Sequence, residues 1–202
     1  MAKPIRTFVA IELSDEIRRR AVELQRALDR ACGIGVTPAP GEANDRVKWV
    51  EAENIHLTLQ FLGNVPDHEI ADVCTVAQRA AAGATAFELT VEAAGAFPNL
   101  RRPRTVWLGV SSGSEAVTAL YKSLEDGLVP LGFRREKRRF HPHVTIGRVR
   151  GRPGTLGECL EAQRDWSAGS MVVREVVVMA SELASDGPRY NVMGRAPLGA
   201  TT

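Results

Sequence analysis

The chain has 202 residues, of which 44% are hydrophobic and 25% are charged, and its formal net charge is +2. This length is enough for one domain or two small lobes with a sizeable core, and the composition is typical of a soluble globular protein. No apolar run approaches the roughly 18 residues that a membrane span needs, and the N-terminus does not have the pattern of a signal peptide. We therefore expect a cytoplasmic protein. The cysteines predict neither a disulfide framework nor a zinc site, because they are three scattered residues without a CxxC motif: Cys32, Cys74 and Cys159.

The first predicted elements are a strand and a helix. The stretch "RTFVAIEL" (6–13) reads as a strand, and Ser14 followed by two acidic residues predicts the start of a helix. The expected buried face of that helix follows spacings of three and four residues and consists of Ile17, Ala21, Leu24, Leu28 and Ala31.

The rest of the chain mixes strands and helices. Glycine and proline predict a loop at 32–46. Later strands are expected in "VKWV", "IHLTLQFL", "FELTVEAAG", "TVWLGVS", "FHPHVTIGRV", "SMVVREVVVMASEL" and "RYNVMG", and further helices at 66–82, from Ser114 onward and after 158. This order favours an α+β fold with antiparallel sheets and outer helices. No glycine-rich phosphate loop follows the first strand, which argues against Rossmann and P-loop folds.

Positive charge is concentrated in one part of the sequence. Residues 101–152 hold 12 Lys and Arg against 4 Asp and Glu, a balance of +8, whereas the remainder has a balance of −6. The excess comes from "RRPR", "RREKRR" and three further arginines, Arg148, Arg150 and Arg152. A local positive field fits a phosphate-bearing partner, and a solvated arginine-rich surface is the alternative. Because only 5% of residues are aromatic, an extended stacking platform for single strands is not expected.

One short motif occurs twice. His56-Leu57-Thr58-Leu59 and His143-Val144-Thr145-Ile146 both read His, apolar, Thr, apolar. Residues i and i+2 of a strand point to the same face, so each motif presents an imidazole beside a hydroxyl while its apolar residues enter a core. The 87-residue offset between the motifs hints at a distant internal duplication.

These residue types suit acid–base chemistry on a phosphodiester. Histidine titrates near neutral pH, so one imidazole can accept a proton while the other donates one. Threonine hydroxyls can donate to anionic oxygens, and an arginine fork suits phosphate. Arg148 is the candidate, although in a regular strand it would point with Val144, away from the histidine; a bulge near Gly147 could redirect it. The alternatives are structural histidines and a metal site at His141 and His143, which no Asp- or Cys-rich motif accompanies.

At these residues the sequence resembles the two-histidine (2H) phosphoesterase superfamily, which is defined by paired motifs of this kind. More closely, it is similar to the bacterial and archaeal RNA 2′,3′-cyclic phosphodiesterase family, also called 2′-5′ RNA ligase. The similar segments are "RTFVAIELSDEIR", "IHLTLQFLG", "FPNLRRPRTVWLGV", "FHPHVTIGR" and "ELASDGPRYNVM". The resemblance is weaker at 32–46 and 150–170.

The resemblance implies a single bilobal domain over residues 1–202, with two antiparallel sheets, outer helices, pseudo-two-fold symmetry and a central cleft. It implies metal-free hydrolysis of 2′,3′-cyclic phosphate ends to 2′-phosphates, with no cofactor. His56 resembles the general acid and His143 the base, or the reverse, while Thr58, Thr145 and Arg148 resemble phosphate-binding residues. The implied partners are RNA with cyclic phosphate ends or small cyclic nucleotides, without a membrane, and the expected state is a monomer. RNA joining through a 2′-5′ bond is a secondary expectation, and a nucleotide- or RNA-end-binding module without turnover is the alternative.

Overall fold

Strands and helices alternate irregularly along the computed structural model, which describes residues 3–32, 47–151, 154–183 and 187–199. The strands are β1 (Ile5–Glu12), β2 (Val47–Trp49), β3 (His56–Val65), β4 (Phe87–Phe97), β5 (Thr105–Val110), β6 (His143–Val149), β7 (Ser167–Val173), β8 (Glu175–Leu183) and β9 (Pro188–Pro197). The helices are α1 (Asp15–Cys32), α2 (Ile70–Ala82), α3 (Ser114–Leu128) and α4 (Leu156–Glu161). None of the described helices is both long and apolar enough to cross a membrane.

The strands form antiparallel pairs in the order β7-β4-β5-β6-β3-β1-β8-β9, with β2 added to β6. The predicted α+β class is confirmed. The two predicted sheets are halves of one continuous sheet, because β3 and β6 pair where Leu57 lies opposite Val144. The first half consists of β3, β1, β8 and β9, and the second half consists of β6, β5, β4 and β7.

Two helices each follow a strand of one half in the chain and pack against the other half. Helix α1 follows β1 of the first half, yet it packs against β7 and α4 in the second. Helix α3 follows β5 of the second half and packs against β3 in the first. Apolar residues from both halves form one large buried cluster, so the core extends across the junction.

The start of α1 is as predicted, and most of its buried face is too. The hydroxyl of Ser14 accepts a hydrogen bond from the backbone N–H of Ile17 at 3.3 Å, which caps the helix. Ala31 is exposed, so that prediction is wrong, and Gln25 and Cys32 are buried instead. The buried face extends toward the side of the helix that carries Gln25, so Cys32 lies within it and Ala31 lies at its opposite edge.

Cys32 and Cys159 form a disulfide pair between α1 and α4, with Cα atoms 6.7 Å apart, which the sequence did not predict. They are 127 residues apart in the sequence, so spacing could not reveal that the fold brings them together. Cys74 is a free thiol. The predicted loop begins inside α1 at Cys32, and its remainder, 33–46, lies outside the described residues, as does Arg152.

Candidate active site

The two His-Thr motifs meet where the halves of the sheet join. Each motif begins its strand, and Leu57 lies opposite Val144 in an antiparallel pair. Extending that register by one residue in each direction places His56 opposite Thr145 and Thr58 opposite His143 on the same face. Opposed residues in such a pair have Cβ atoms about 4.5–5.5 Å apart. The fold therefore groups two imidazoles and two hydroxyls on one surface.

Each motif contains a bulge at its fourth residue. In the pairing of β1 with β3, Ala10 lies opposite Thr58 and Val9 opposite Gln60, so Leu59 is the extra residue.

The matching bulge lies in β6. Trp107 lies opposite Thr145 and Val106 opposite Gly147, so Ile146 is the extra residue. A bulge reverses the alternation of side chains beyond it, and Arg148 consequently lies on the same face as Thr145. This is the redirection that the sequence left open, and it comes from pairing with β5.

Both imidazoles are held in the same way. The Nδ1 atom of His56 donates to the carbonyl oxygen of Asn54 at 2.8 Å, and Nδ1 of His143 donates to the carbonyl oxygen of His141 at 2.7 Å. A carbonyl can only accept, so the proton of each neutral ring is on Nδ1 and the Nε2 lone pair is available. Nε2 of His56 lies 3.0 Å from Oγ1 of Thr58, whose hydroxyl donates to it when the ring is neutral.

Burial lowers the pKa of both histidines from the ordinary value of 6.5. For His56 the hydrogen bond to Asn54 opposes this effect. For His143 the bond to His141 opposes it, whereas the positive charges of His141 and Arg148 lower the pKa further. Both rings are thus predominantly neutral at pH 7 in the free protein, and a bound phosphate anion would raise both pKa values.

A cavity of about 340 Å³ opens beside the motifs. Four of the five predicted site residues line it: His56, Thr58, Thr145 and Arg148. His143 does not line this cavity. It lies two residues before Thr145 on the same face of β6, with its ring edge-on to Phe97 at 5.0 Å between centroids.

No motif in the sequence marks the aromatic surroundings of His56. Phe8 stacks on the imidazole with ring centroids 4.9 Å apart, and Tyr190 meets both rings edge-on. Asn54 supports the same group, because its side-chain amide donates to the carbonyl oxygen of Pro188 at 3.0 Å. The stretch "RTFVAIEL" predicts that Phe8 lies in a strand, but the sequence carries no signal that β1 and β9 meet beside His56.

Further cations surround the cavity. Arg6, Lys48, Arg148 and Arg150 line it together with one carboxylate residue, Glu51. Such a lining favours an anionic ligand. The described part of the chain holds no cluster of three or more His, Cys, Asp and Glu residues suited to a metal ion.

Residues 14–184 match the family model of the 2′-5′ RNA ligase superfamily. The chain belongs to this superfamily. Members named RNA 2′,3′-cyclic phosphodiesterase include one from Methanothermobacter thermautotrophicus, 36% identical over 94% of this chain and 96% of the relative. Another, from Thermotoga maritima, is 33% identical over 94% of this chain and 93% of the relative.

The superfamily likeness extends to the fold. The crystal structure of E. coli LigT complexed with 3′-AMP superposes with a TM-score of 0.72, at 28% identity, over 96% of this chain and 98% of that one.

Proposed function

We propose that this protein hydrolyses the 2′,3′-cyclic phosphate ends of RNA to 2′-phosphates. The observation that carries the proposal is the meeting of two His-Thr motifs on one face, each with its imidazole held through Nδ1. That arrangement leaves two Nε2 atoms for proton transfer. The names of the relatives that cover most of this chain support the same reaction.

The proposed reaction needs one neutral and one protonated imidazole. His143 takes a proton from water at Nε2 as the water oxygen attacks phosphorus. His56 gives its Nε2 proton to O3′ as the P–O3′ bond breaks, leaving the phosphate on O2′. The approximate symmetry of the motifs permits the reverse assignment. Each such role is worth typically 10²–10⁴-fold in rate.

Three further residues are proposed to hold the phosphate. Thr58 and Thr145 carry hydroxyls beside the two imidazoles, and Arg148 carries a fixed positive charge within the same cavity. Hydrogen bonds from such donors strengthen as charge develops on the equatorial oxygens. Protonation of His56 removes the lone pair on Nε2 that accepts from Thr58, which frees that hydroxyl to donate to a phosphate oxygen.

RNA and small cyclic nucleotides are the proposed substrates. The cationic lining suits the phosphate, and the exposed parts of aromatic residues in the same cavity suit a base or ribose. Joining of RNA ends through a 2′-5′ bond is a secondary proposal, in which a ribose 5′-hydroxyl replaces water as nucleophile. A cytoplasmic location, a monomeric state and a single domain over 1–202 stay predictions.

The test is incubation with a short RNA that ends in a 2′,3′-cyclic phosphate, with and without EDTA. We expect a 2′-phosphate product at the same rate in both samples. Binding of the RNA without turnover would identify a binding module instead. Loss of activity on chelation would contradict the metal-free reaction. A 3′-phosphate product would show that the P–O2′ bond breaks and not the P–O3′ bond.

A further inference from the structure

Gln25 is a buried polar residue in α1, with 5% of its surface exposed. Its side-chain Nε2 donates to two backbone carbonyl oxygens, those of Val50 and Ile146, both at 2.9 Å. A primary amide has two N–H donors, so both are used. The helix is thereby connected to two neighbouring stretches of the sheet.

One of these carbonyls belongs to the bulge in β6. Ile146 is the extra residue of that bulge, and its carbonyl also accepts from the backbone N–H of Val50 at 2.9 Å. Two donors therefore fix the peptide that lies between Thr145 and Arg148. The bulge decides on which face Arg148 lies, so the Gln25 amide holds the backbone that directs that arginine.

The next turn of α1 supports the same strand. Asp29, four residues after Gln25, accepts a hydrogen bond from the indole Nε1 of Trp49 at 2.7 Å. Trp49 packs against β6 at Gly147, where an added Cβ would lie 2.7 Å from the indole ring. The side of α1 that faces β2 and β6 thus fixes the backbone just before Arg148.

The first half of the sheet has the same bulge without this support. Counted from the helix start, Leu124 of α3 takes the place that Gln25 has in α1. Gln60, which follows the bulge at Leu59, makes no side-chain hydrogen bond within the described residues, and Phe61 stands where the second half has Arg148. The hydrogen bonds of Gln25 therefore occur in the half of the sheet that contains Arg148, and the other half forms its bulge without them.

We propose that Gln25 is a positioning residue for the reaction: it holds the Ile146 bulge so that Arg148 meets the phosphate. The inference depends on the proposed role of Arg148 in phosphate binding. It predicts that Gln25 acts through that arginine, although the two side chains lie on different elements. Small displacements of a positioning group can cost up to about 10²-fold in rate.

A double-mutant cycle tests this coupling. Gln25→Met, Arg148→Met and the double variant would be compared for kcat/KM on cyclic-phosphate RNA and for the Kd of inorganic phosphate by calorimetry. We expect Gln25→Met to weaken phosphate binding about tenfold and to lower kcat/KM by about 10- to 100-fold. In the Arg148→Met background the same change should cost less than about twofold, because coupled residues are not additive.

The matched control is Gln60→Met. It makes the same chemical change at a residue that is 8% exposed and adjacent to the other bulge, and it should leave both measurements unchanged. Equal losses from Gln25→Met with and without Arg148 would overturn the inference. So would comparable losses from Gln60→Met.

Folding and function are separated by two further measurements. If Gln25→Met melts below the assay temperature, Gln25→Asn replaces it, since that amide is one methylene too short to reach both carbonyls. Unfolding of both variants would assign Gln25 to stability alone and reject the positioning role. Arg148-dependent phosphate binding that weakens in Gln25→Met, in a protein that leaves cyclic phosphates intact, would contradict the proposed function while supporting the positioning role.

Discussion

The two motif strands, β3 and β6, have the same backbone design and different surroundings. Each begins with His-apolar-Thr, anchors Nδ1 on the carbonyl two residues earlier and contains a bulge three residues after the histidine. Five residues after the histidine they differ, with Phe61 in β3 and Arg148 in β6.

The environment of the two rings differs as well. His56 lies against Phe8 and Tyr190, and its Nε2 is paired with Thr58. The ring of His143 lies edge-on to Phe97, with Arg148 close enough to lower its pKa. A shared backbone thus places the two imidazoles symmetrically, and the side chains around them differ, with an aromatic residue in one half and an arginine in the other.

The largest effect tests the similarity. If both imidazoles transfer protons, His56→Ala and His143→Ala should each lower kcat by about 10²–10⁴-fold while the protein stays folded. Single-turnover rates on cyclic-phosphate RNA, with circular dichroism as the folding control, provide the measurement. Near-wild-type turnover in either variant would reduce the pair to one catalytic histidine.

The next effect tests the difference between Phe61 and Arg148, the residues five positions after the two histidines. Arg148→Phe should lower kcat/KM by about 10²–10³-fold, as loss of a preorganised donor does. Adding Phe61→Arg should not restore activity, because Arg6 lies 4.9 Å from the Phe61 ring and would repel a second guanidinium. Recovery of activity in the exchanged variant would show that either half can hold the phosphate.

A smaller effect distinguishes the two hydroxyls. Thr58→Val removes the hydrogen bond to His56 as well as the proposed one to the phosphate, so we expect about a 100-fold loss in kcat, against about tenfold for Thr145→Val. Stopped-assay kinetics on the same RNA would rank the two variants. The reverse ranking would indicate that the hydroxyl in the second half carries the greater share.

The smallest effect is a displacement along the pH axis. Both pKa values lie below 6.5 in the free protein, and the form with one proton on the pair is most populated between them. The kcat/KM profile should therefore peak on the acid side of pH 6.5 and fall as pH rises from there. The kcat profile should peak at higher pH, because the bound phosphate anion raises both pKa values. A kcat/KM optimum above pH 7 would contradict the effect of burial.

Local periodicity explains what the sequence could predict. The two-residue repeat of a strand placed His56 beside Thr58 and His143 beside Thr145, and the cap at Ser14 located the start of α1. Periodicity alone could not predict that the two motifs form one site. That prediction also required the occurrence of the same His-apolar-Thr-apolar pattern twice in the sequence.

Long-range pairing explains what the sequence could not predict. The face of Arg148 depends on how β6 pairs with β5, and the stacking of Phe8 on His56 depends on how β1 pairs with β3. Gln25 occupied a helix position that no motif marked, and its importance follows only from the carbonyls it reaches.

The crossing of α1 and α3 has a consequence for how the chain can be divided. The second half of the sheet, β4 through β7, is contiguous in sequence, yet it includes α3, which covers the first half, and it lacks α1. A fragment of that segment would expose the apolar surface that α1 shields and carry a helix without its usual neighbour. The repeat that the motifs suggest is therefore not a pair of separable modules. A half-length ancestor with this arrangement would have had to dimerise, so that the helix of each copy covered the sheet of the other.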